Sequence, residues 1–163
     1  MRKRLLRLIC FAIAIVIAGT IAYKSIPFCI TNGKVVIMDR SSDYISYLRT
    51  RCNWLPLNTT ISYIRMLYHG TINTNIVFHY YLANILPFTL LGFLFCCCFQ
   101  NILISAGLTC AVAALVEILQ FALKCGRFDI EAIAIRTASA IIGAVIFELI
   151  IKQTRCKIEK GDL

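Results

Sequence analysis

Long apolar stretches dominate the pattern of hydrophobic and polar positions along this chain. One stretch, Ile76–Phe99, holds no Asp, Glu, Lys or Arg in 24 residues, and the stretch after it holds only Glu117. Because about 20 apolar residues in a helix are enough to cross a bilayer, each stretch is long enough to span one. The pattern predicts an all-α membrane protein with about four transmembrane helices, over Leu5–Tyr23, Ile76–Phe99, Ile102–Leu123 and Ile130–Ile151.

Composition supports the membrane assignment. Of the 163 residues, 60% are hydrophobic, whereas a soluble domain is typically about 45–50% apolar. The net charge of +9 does not indicate nucleic-acid binding, because no basic face interleaved with aromatics lies outside the apolar stretches. No internal repeat or low-complexity linker is present, so we expect a single membrane domain over residues 1–163.

The basic residues predict the orientation. Four lie among the first seven residues and four more between residues 152 and 160. Since cytoplasmic flanks carry an excess of Lys and Arg, both termini are expected in the cytoplasm, which places the loop Lys24–Asn75 outside. This loop has six basic and two acidic residues, which argues against the assignment. However, the loop is about 50 residues long, and the rule weakens at that length.

Three features near the first loop leave alternatives open. The first stretch has the form of a cleaved signal peptide as well as of a span, since small residues occur near Ala18. Within the loop, residues 35–38 suit a short strand, and Thr59–Leu67 suits an amphipathic helix lying on the membrane. A disulfide between Cys29 and Cys52 is the third open alternative, which the sequence does not decide.

The other cysteines do not indicate a metal site. Nine are present, and three run consecutively as Cys96–Cys98. Their spacing matches neither a zinc site nor a redox C-x-x-C motif, so no metal or other cofactor is predicted. Small apolar packing residues are the simplest interpretation of the run, and palmitoylation is the alternative.

Polar residues inside the apolar stretches form the candidate site. Glu117 lies seven residues before Lys124, and Arg136 lies seven residues after Asp129. At about 1.5 Å per residue, both side chains reach a similar depth on adjacent antiparallel helices, and pairing would lower the cost of burying them. The candidate polar cluster, either a ligand-binding site or a structural one, consists of Asn84, Glu117, Gln120, Arg127, Asp129 and Arg136.

Helical spacing predicts how these residues share faces. Arg136, Ser139 and Gly143 follow an i, i+3, i+7 pattern, and the last two form a small-x-x-x-small pair that permits close helix contact. Gly92 is expected to do the same on the second stretch. Pro87 leaves the carbonyl near Ala83 without its helical donor, which we expect Asn84 or a neighbouring helix to supply.

These motifs resemble the VanZ-like family, associated with teicoplanin resistance. Two segments are similar to the family patterns N-x-I-P-F-x-T-I and N-I-x-x-F-x-P-x-G-F: Asn53–Ile61, which reads NWLPLNTTI, and Asn84–Phe93, which reads NILPFTLLGF. The family's E-x-x-Q is matched by Glu117 and Gln120. Its acidic motif is matched by Arg127 and Asp129, with Glu131 near an acidic position, and its small-residue motif by Gly143. This resemblance covers roughly residues 53–151.

Two positions depart from the family pattern. Arg136 stands where the last helix usually has Asn, and Ser139 stands for the first glycine of the small pair. Any ligand contact that the family's Asn makes is therefore not carried over to this chain.

The resemblance implies a bacterial cell-envelope protein that lowers glycopeptide susceptibility through a polar pocket at the outer leaflet, without known catalysis. Its expected partners are the lipid bilayer and a lipid-linked envelope precursor or a glycopeptide. The main alternative is an enzyme acting on a lipid or lipid-linked precursor, with Glu117 as acid/base and Arg127 or Arg136 binding phosphate. A transporter is less favoured because no inverted repeat is present. The oligomeric state is not predicted.

Overall fold

The computed structural model describes residues 2–25, 30–31, 34–35, 45–46, 52–123 and 127–159. Within these ranges the chain forms five helices of 11 or more residues and four two-residue strands. The helices are α1 (Arg2–Ser25), α2 (Asn58–Tyr68), α3 (Thr74–Phe99), α4 (Ile102–Ala122) and α5 (Ile130–Glu159). The strands are β1 (Ile30–Thr31), β2 (Lys34–Val35), β3 (Cys52–Asn53) and β4 (Phe128–Asp129).

Four of these helices confirm the predicted spans. The segments long and apolar enough to cross a bilayer are Arg4–Ala22, Thr74–Phe99, Ile102–Ala122 and Ile130–Thr154. Large apolar side chains on these helices, such as Ile142 and Leu149, are more than half exposed, a surface that suits contact with lipid. The fold is therefore that of a multi-pass membrane protein.

The segment before α3 contains the predicted amphipathic helix. It is α2, on which Ile61 and Ile64 remain exposed, as a helix resting on a membrane surface requires. Of the strand predicted over residues 35–38, the structure describes only residue 35, the end of β2. The suggested disulfide partner Cys29 also lies outside the described residues.

Asparagine and aspartate residues set where the helices begin. The side chain of Asn73 accepts a hydrogen bond from Asn75 N (2.9 Å), and that of Asn101 accepts one from Ile104 N (3.1 Å). Asp129 does the same at the start of α5 by accepting from Glu131 N (3.0 Å). Each side chain satisfies a backbone donor that the first helical turn leaves unpaired.

The centre of the bundle is the contact between α3 and α5. A Cβ added to Gly92 would clash with the carbonyl oxygen of Ala140, and one added to Gly143 would clash with that of Thr89. The two backbones are therefore as close as the predicted small residues allow. Toward the C-terminal ends of both helices, the rings of Phe93 and Phe147 meet edge to face with centroids 5.4 Å apart.

Helix α1 lies against the outside of this core. Its Ala14 is fully buried, and it packs into a cluster that includes Phe88 and Leu91 of α3 and Ala113 of α4. Only 6% of its spanning segment is buried, against 39% for α3. Helix α1 is thus the least embedded of the four spans.

Candidate functional site

The predicted pair between α4 and α5 is present. Arg136 Nη1 lies 2.7 Å from Glu117 Oε1, and the two residues are 9% and 2% exposed. Arg136 Nε also donates to Asn84 Oδ1 (2.8 Å), and its guanidinium lies 5.2 Å from the centroid of the Phe88 ring. One arginine therefore joins α3, α4 and α5 inside the bundle.

Asn84 belongs to the polar cluster as predicted, but of the two donors suggested for the carbonyl near Ala83 it is not the one. Its amide nitrogen donates to the Tyr80 carbonyl (2.8 Å), one turn back on the same helix, and not to the carbonyl near Ala83. The reason is that its oxygen already accepts from Arg136, which orients the amide group. Asn84 therefore positions the arginine and does not repair the break at Pro87.

The second oxygen of Glu117 holds the start of α5. Glu117 Oε2 accepts from the backbone N–H of Asp129 (3.0 Å), so both carboxylate oxygens have partners. Because Asp129 directly precedes the first residue of α5, this bond sets the position of α5 relative to α4. The pair thus positions backbone as well as balancing charge.

Asp129 connects the bundle to the segment before α2. Its Oδ1 accepts from Asn53 Nδ2 (3.0 Å), and its Oδ2 accepts from the Thr59 hydroxyl (2.7 Å). Strands β3 and β4 are parallel, with Asn53 opposite Asp129. Trp54 packs on Phe128 with ring centroids 5.2 Å apart. Residues 76 positions apart in the chain are therefore joined by backbone, side-chain and ring contacts.

Glu131 caps α2 from the neighbouring helix. Leu57, at the N-cap position, provides no side-chain acceptor and has a left-handed φ of 65°. Glu131 instead accepts from Thr59 N (2.8 Å) and Thr60 N (3.1 Å), and also from the Thr60 hydroxyl. That hydroxyl contacts the Tyr81 hydroxyl at 2.6 Å. A carboxylate at the positive end of the α2 dipole is favourable, so α2 and α5 stabilise each other.

At this end of the bundle, which we call the α2 end, buried acidic side chains outnumber buried basic ones. Three buried carboxylates, those of Glu117, Asp129 and Glu131, face one buried cation, Arg136, among the described residues. The N-termini of α2 and α5 supply further positive partial charge. On α2, burial raises the pKa of the Tyr63 hydroxyl above its usual value, and the nearby negative charge of Asp129 adds to the effect.

An open pocket adjoins this network. Its volume is about 700 Å³, within the range of about 300–1,000 Å³ that ligand sites usually have. Carbon forms nearly all of its wall, and its polar groups belong to Thr60, Tyr81 and Glu131. The remaining lining residues are Trp54, Pro56, Leu57, Ile130, Ala134, Ile135 and Ala138.

The structure joins four of the six predicted site residues into one network: Asn84, Glu117, Asp129 and Arg136. Gln120 is half-buried one turn beyond Glu117, and Arg127 is exposed beside β4. None of the six lines the pocket. Among the described residues, no group of three or more His, Cys, Asp or Glu side chains is arranged to hold a metal ion.

Several contributors were not among the predicted site residues: Asn53, Thr59, Thr60, Tyr81 and Glu131. A signal for four of them existed, since Asn53, Thr59 and Thr60 lie in the NWLPLNTTI segment and Glu131 lies near an acidic family position. Their roles were missed because a pattern in a loop does not show which helix the loop contacts.

A four-span bundle with a buried ion pair and a capped surface helix defines the class as a polytopic membrane protein. The family comparison then places the chain: the family model described as VanZ/LLP1 matches residues 8–151. The chain belongs to this family, and the match confirms the resemblance seen in its motifs. No curated protein and no solved structure matches the chain.

Proposed function

We propose that this protein acts in the bacterial cell envelope by binding a lipid-linked precursor or a glycopeptide in the pocket at the α2 end. The proposal includes a lowered susceptibility to glycopeptides such as teicoplanin, as the family resemblance implies, without catalysis. The observation that carries it is the position of the pocket, between an apolar helix face and the hydrogen bonds that join Glu131, Thr60 and Tyr81. The orientation that goes with it has both termini in the cytoplasm and α2 outside.

The pocket suits an amphiphile. Ala134, Ile135 and Ala138 form one wall and lie within the first turns of the span Ile130–Thr154. In the proposed orientation that wall faces the hydrocarbon of the bilayer, while Trp54, which also lines the pocket, is 57% exposed, as an interfacial tryptophan would be. A ligand with an apolar chain and a polar head would match both parts.

The hydrogen-bonded network serves as the scaffold of the pocket. Glu131 lines the pocket and also accepts hydrogen bonds from the first turn of α2. One side chain therefore connects the pocket wall to α2. Arg136 and Glu117 lie behind this layer and fix where α5 begins. We therefore assign these two residues a positioning role.

The enzymatic alternative depends on Glu117 as acid or base. Glu117 is 2% exposed, and its two oxygens are occupied by Arg136 and by the backbone of Asp129. Since Glu117 is almost completely buried, a substrate has no access to this carboxylate in the structure. This arrangement favours the binding proposal, and a Glu117→Gln variant that stays folded yet loses a turnover activity would reverse that preference.

The test fills the pocket without touching the network. Ala134→Phe places a ring in the pocket, whereas Ala111→Phe adds the same bulk at an exposed position of α4 that does not line it. Both variants and the wild type are expressed in a susceptible Gram-positive host, and membrane abundance is measured by immunoblot. We expect wild type and Ala111→Phe to raise the minimal inhibitory concentration of teicoplanin, and Ala134→Phe to leave it unchanged.

Two results would count against the proposal. An abundant wild-type protein that gives no shift would remove the glycopeptide role. A shift retained in Ala134→Phe would remove the pocket from the function. Arg127→Ala, an exposed change close to the rim, shows whether charge outside the pocket also contributes.

A further inference from the structure

Two thiols from different spans meet at the other end of the bundle. Cys10 of α1 and Cys97 of α3 have their sulfur atoms 3.4 Å apart. Both are free and half-buried. We call this the terminal end, because α1 begins there and α5 ends there.

Neighbouring contacts show that the approach of these thiols follows from helix packing. On one side, Cys98 Sγ lies 3.4 Å from the Arg7 carbonyl oxygen. On the other, the rings of Phe11 and Phe99 meet edge to face with centroids 6.2 Å apart. The pair therefore adjoins two other α1–α3 contacts, made by residues next to it on α3.

We propose that Cys10 and Cys97 form a reversible disulfide that ties α1 to α3. A disulfide requires sulfur atoms about 2.0 Å apart, so the two atoms need to approach by about 1.4 Å from their distance of 3.4 Å. The disulfide restrains α1 in particular, since only 6% of its spanning segment is buried. A bond at this position fixes the span that packing holds least.

The chemistry is thiol–disulfide exchange with a low-molecular-weight disulfide as oxidant. The thiolate of one cysteine attacks a sulfur of the reagent, forms a mixed disulfide and expels one small thiolate. The second cysteine thiolate then attacks the protein sulfur of this intermediate and expels the other. Two electrons pass to the reagent, and the two protons lost by the cysteines end on the two small thiols released.

The positions of the methionines make the test direct. Cyanogen bromide cleaves after Met1, Met38 and Met66, so Cys10 lies in the fragment 2–38 and Cys97 in the fragment 67–163. A variant that keeps only Cys10 and Cys97 is oxidised in membranes with copper–phenanthroline or a small disulfide, cleaved, and run on a non-reducing gel. We expect the two fragments to migrate together and to separate after dithiothreitol.

The matched control moves one thiol by a single residue. A variant that keeps only Cys10 and Cys96 has its second thiol fully buried against Ala144 and Phe147 on the α5 side of α3. We expect it to link at least tenfold more slowly. Equal yields in the two variants, or no linked fragment with Cys10 and Cys97, would overturn the proposal.

Wild-type chain provides a second measurement, independent of the cysteine substitutions. After the same oxidation, peptide mapping by mass spectrometry should find Cys10 joined to Cys97. If the linked peptide is missing while the two reduced peptides are detected, the proposal is wrong even if the multiply substituted variants are poorly expressed.

Discussion

Helices α3 and α5 associate in two different ways along one interface. Near the α2 end, Arg136 donates to Asn84 and pairs with Glu117. Further along, Gly92 and Gly143 bring the two backbones together without any side-chain bond. Lipid tails offer apolar side chains the same environment as a neighbouring helix does, so helix association in a bilayer relies on polar contacts and close packing. This interface uses both, one after the other.

The two halves differ in what a substitution does to them. In the polar half, each bond involves a group that cannot be left buried without a partner. In the glycine half, the cost is steric and depends on whether an added atom has room. Three experiments separate these contributions, each with a matched control elsewhere in the chain.

The largest effect is expected from breaking the ion pair. Arg136→Gln leaves the carboxylate of Glu117 buried without a cation, a loss of about 3–5 kcal/mol. Arg127→Gln removes the same kind of charge from an exposed position and should change stability by about 0.5 kcal/mol or less. Thermal unfolding in detergent and membrane abundance provide the comparison, and equal stability of the two variants would contradict a structural role for the pair.

A charge swap sharpens this result. The double variant Glu117→Arg with Arg136→Glu should recover part of the loss. Full recovery is not expected, because Glu117 also accepts from the backbone of Asp129, and an arginine at that position has no acceptor to offer.

Alanine should change stability with opposite signs at Gly143, in the glycine half, and at Gly107, outside it. Gly143→Ala drives a methyl group into the carbonyl oxygen of Thr89 and should cost about 1–3 kcal/mol. Gly107→Ala on α4 meets nothing within 4 Å and should stabilise the helix by up to about 1 kcal/mol. The same unfolding assay measures both, and a destabilised Gly107→Ala would show that the two positions do not differ as the packing indicates.

The smallest effect concerns the cap of α2. Glu131→Ala removes the acceptor for Thr59 N and Thr60 N, a loss of about 1–2 kcal/mol, and it should loosen α2 while the spans remain intact. Glu148→Ala changes the same residue type near the other end of α5. Hydrogen exchange of the α2 amides tests this, since equal protection in the two variants would rule out the capping role.

Several features were within reach of the sequence. The four spans followed from their length and apolar content, and the amphipathic segment became α2. The Arg136–Glu117 pair followed from helical rise, since Glu117 lies seven residues before Lys124 and Arg136 lies seven residues after Asp129. Gly92 and Gly143 were expected at close contacts because their small size has little other use in a span. In each case a regular helix turned spacing in sequence into position in space.

Tertiary structure alone decided the contacts that no helical period predicts. The link from Asn53 to Asp129, the cap that Glu131 provides to α2, and the approach of Cys10 to Cys97 all join segments far apart in the chain. Periodicity describes one helix at a time, so it predicted which faces are polar but not which loop a polar group meets. For this reason the sequence alone determined the spans and their buried pair, whereas the pocket arose only from the docking of β3 and α2 onto α5.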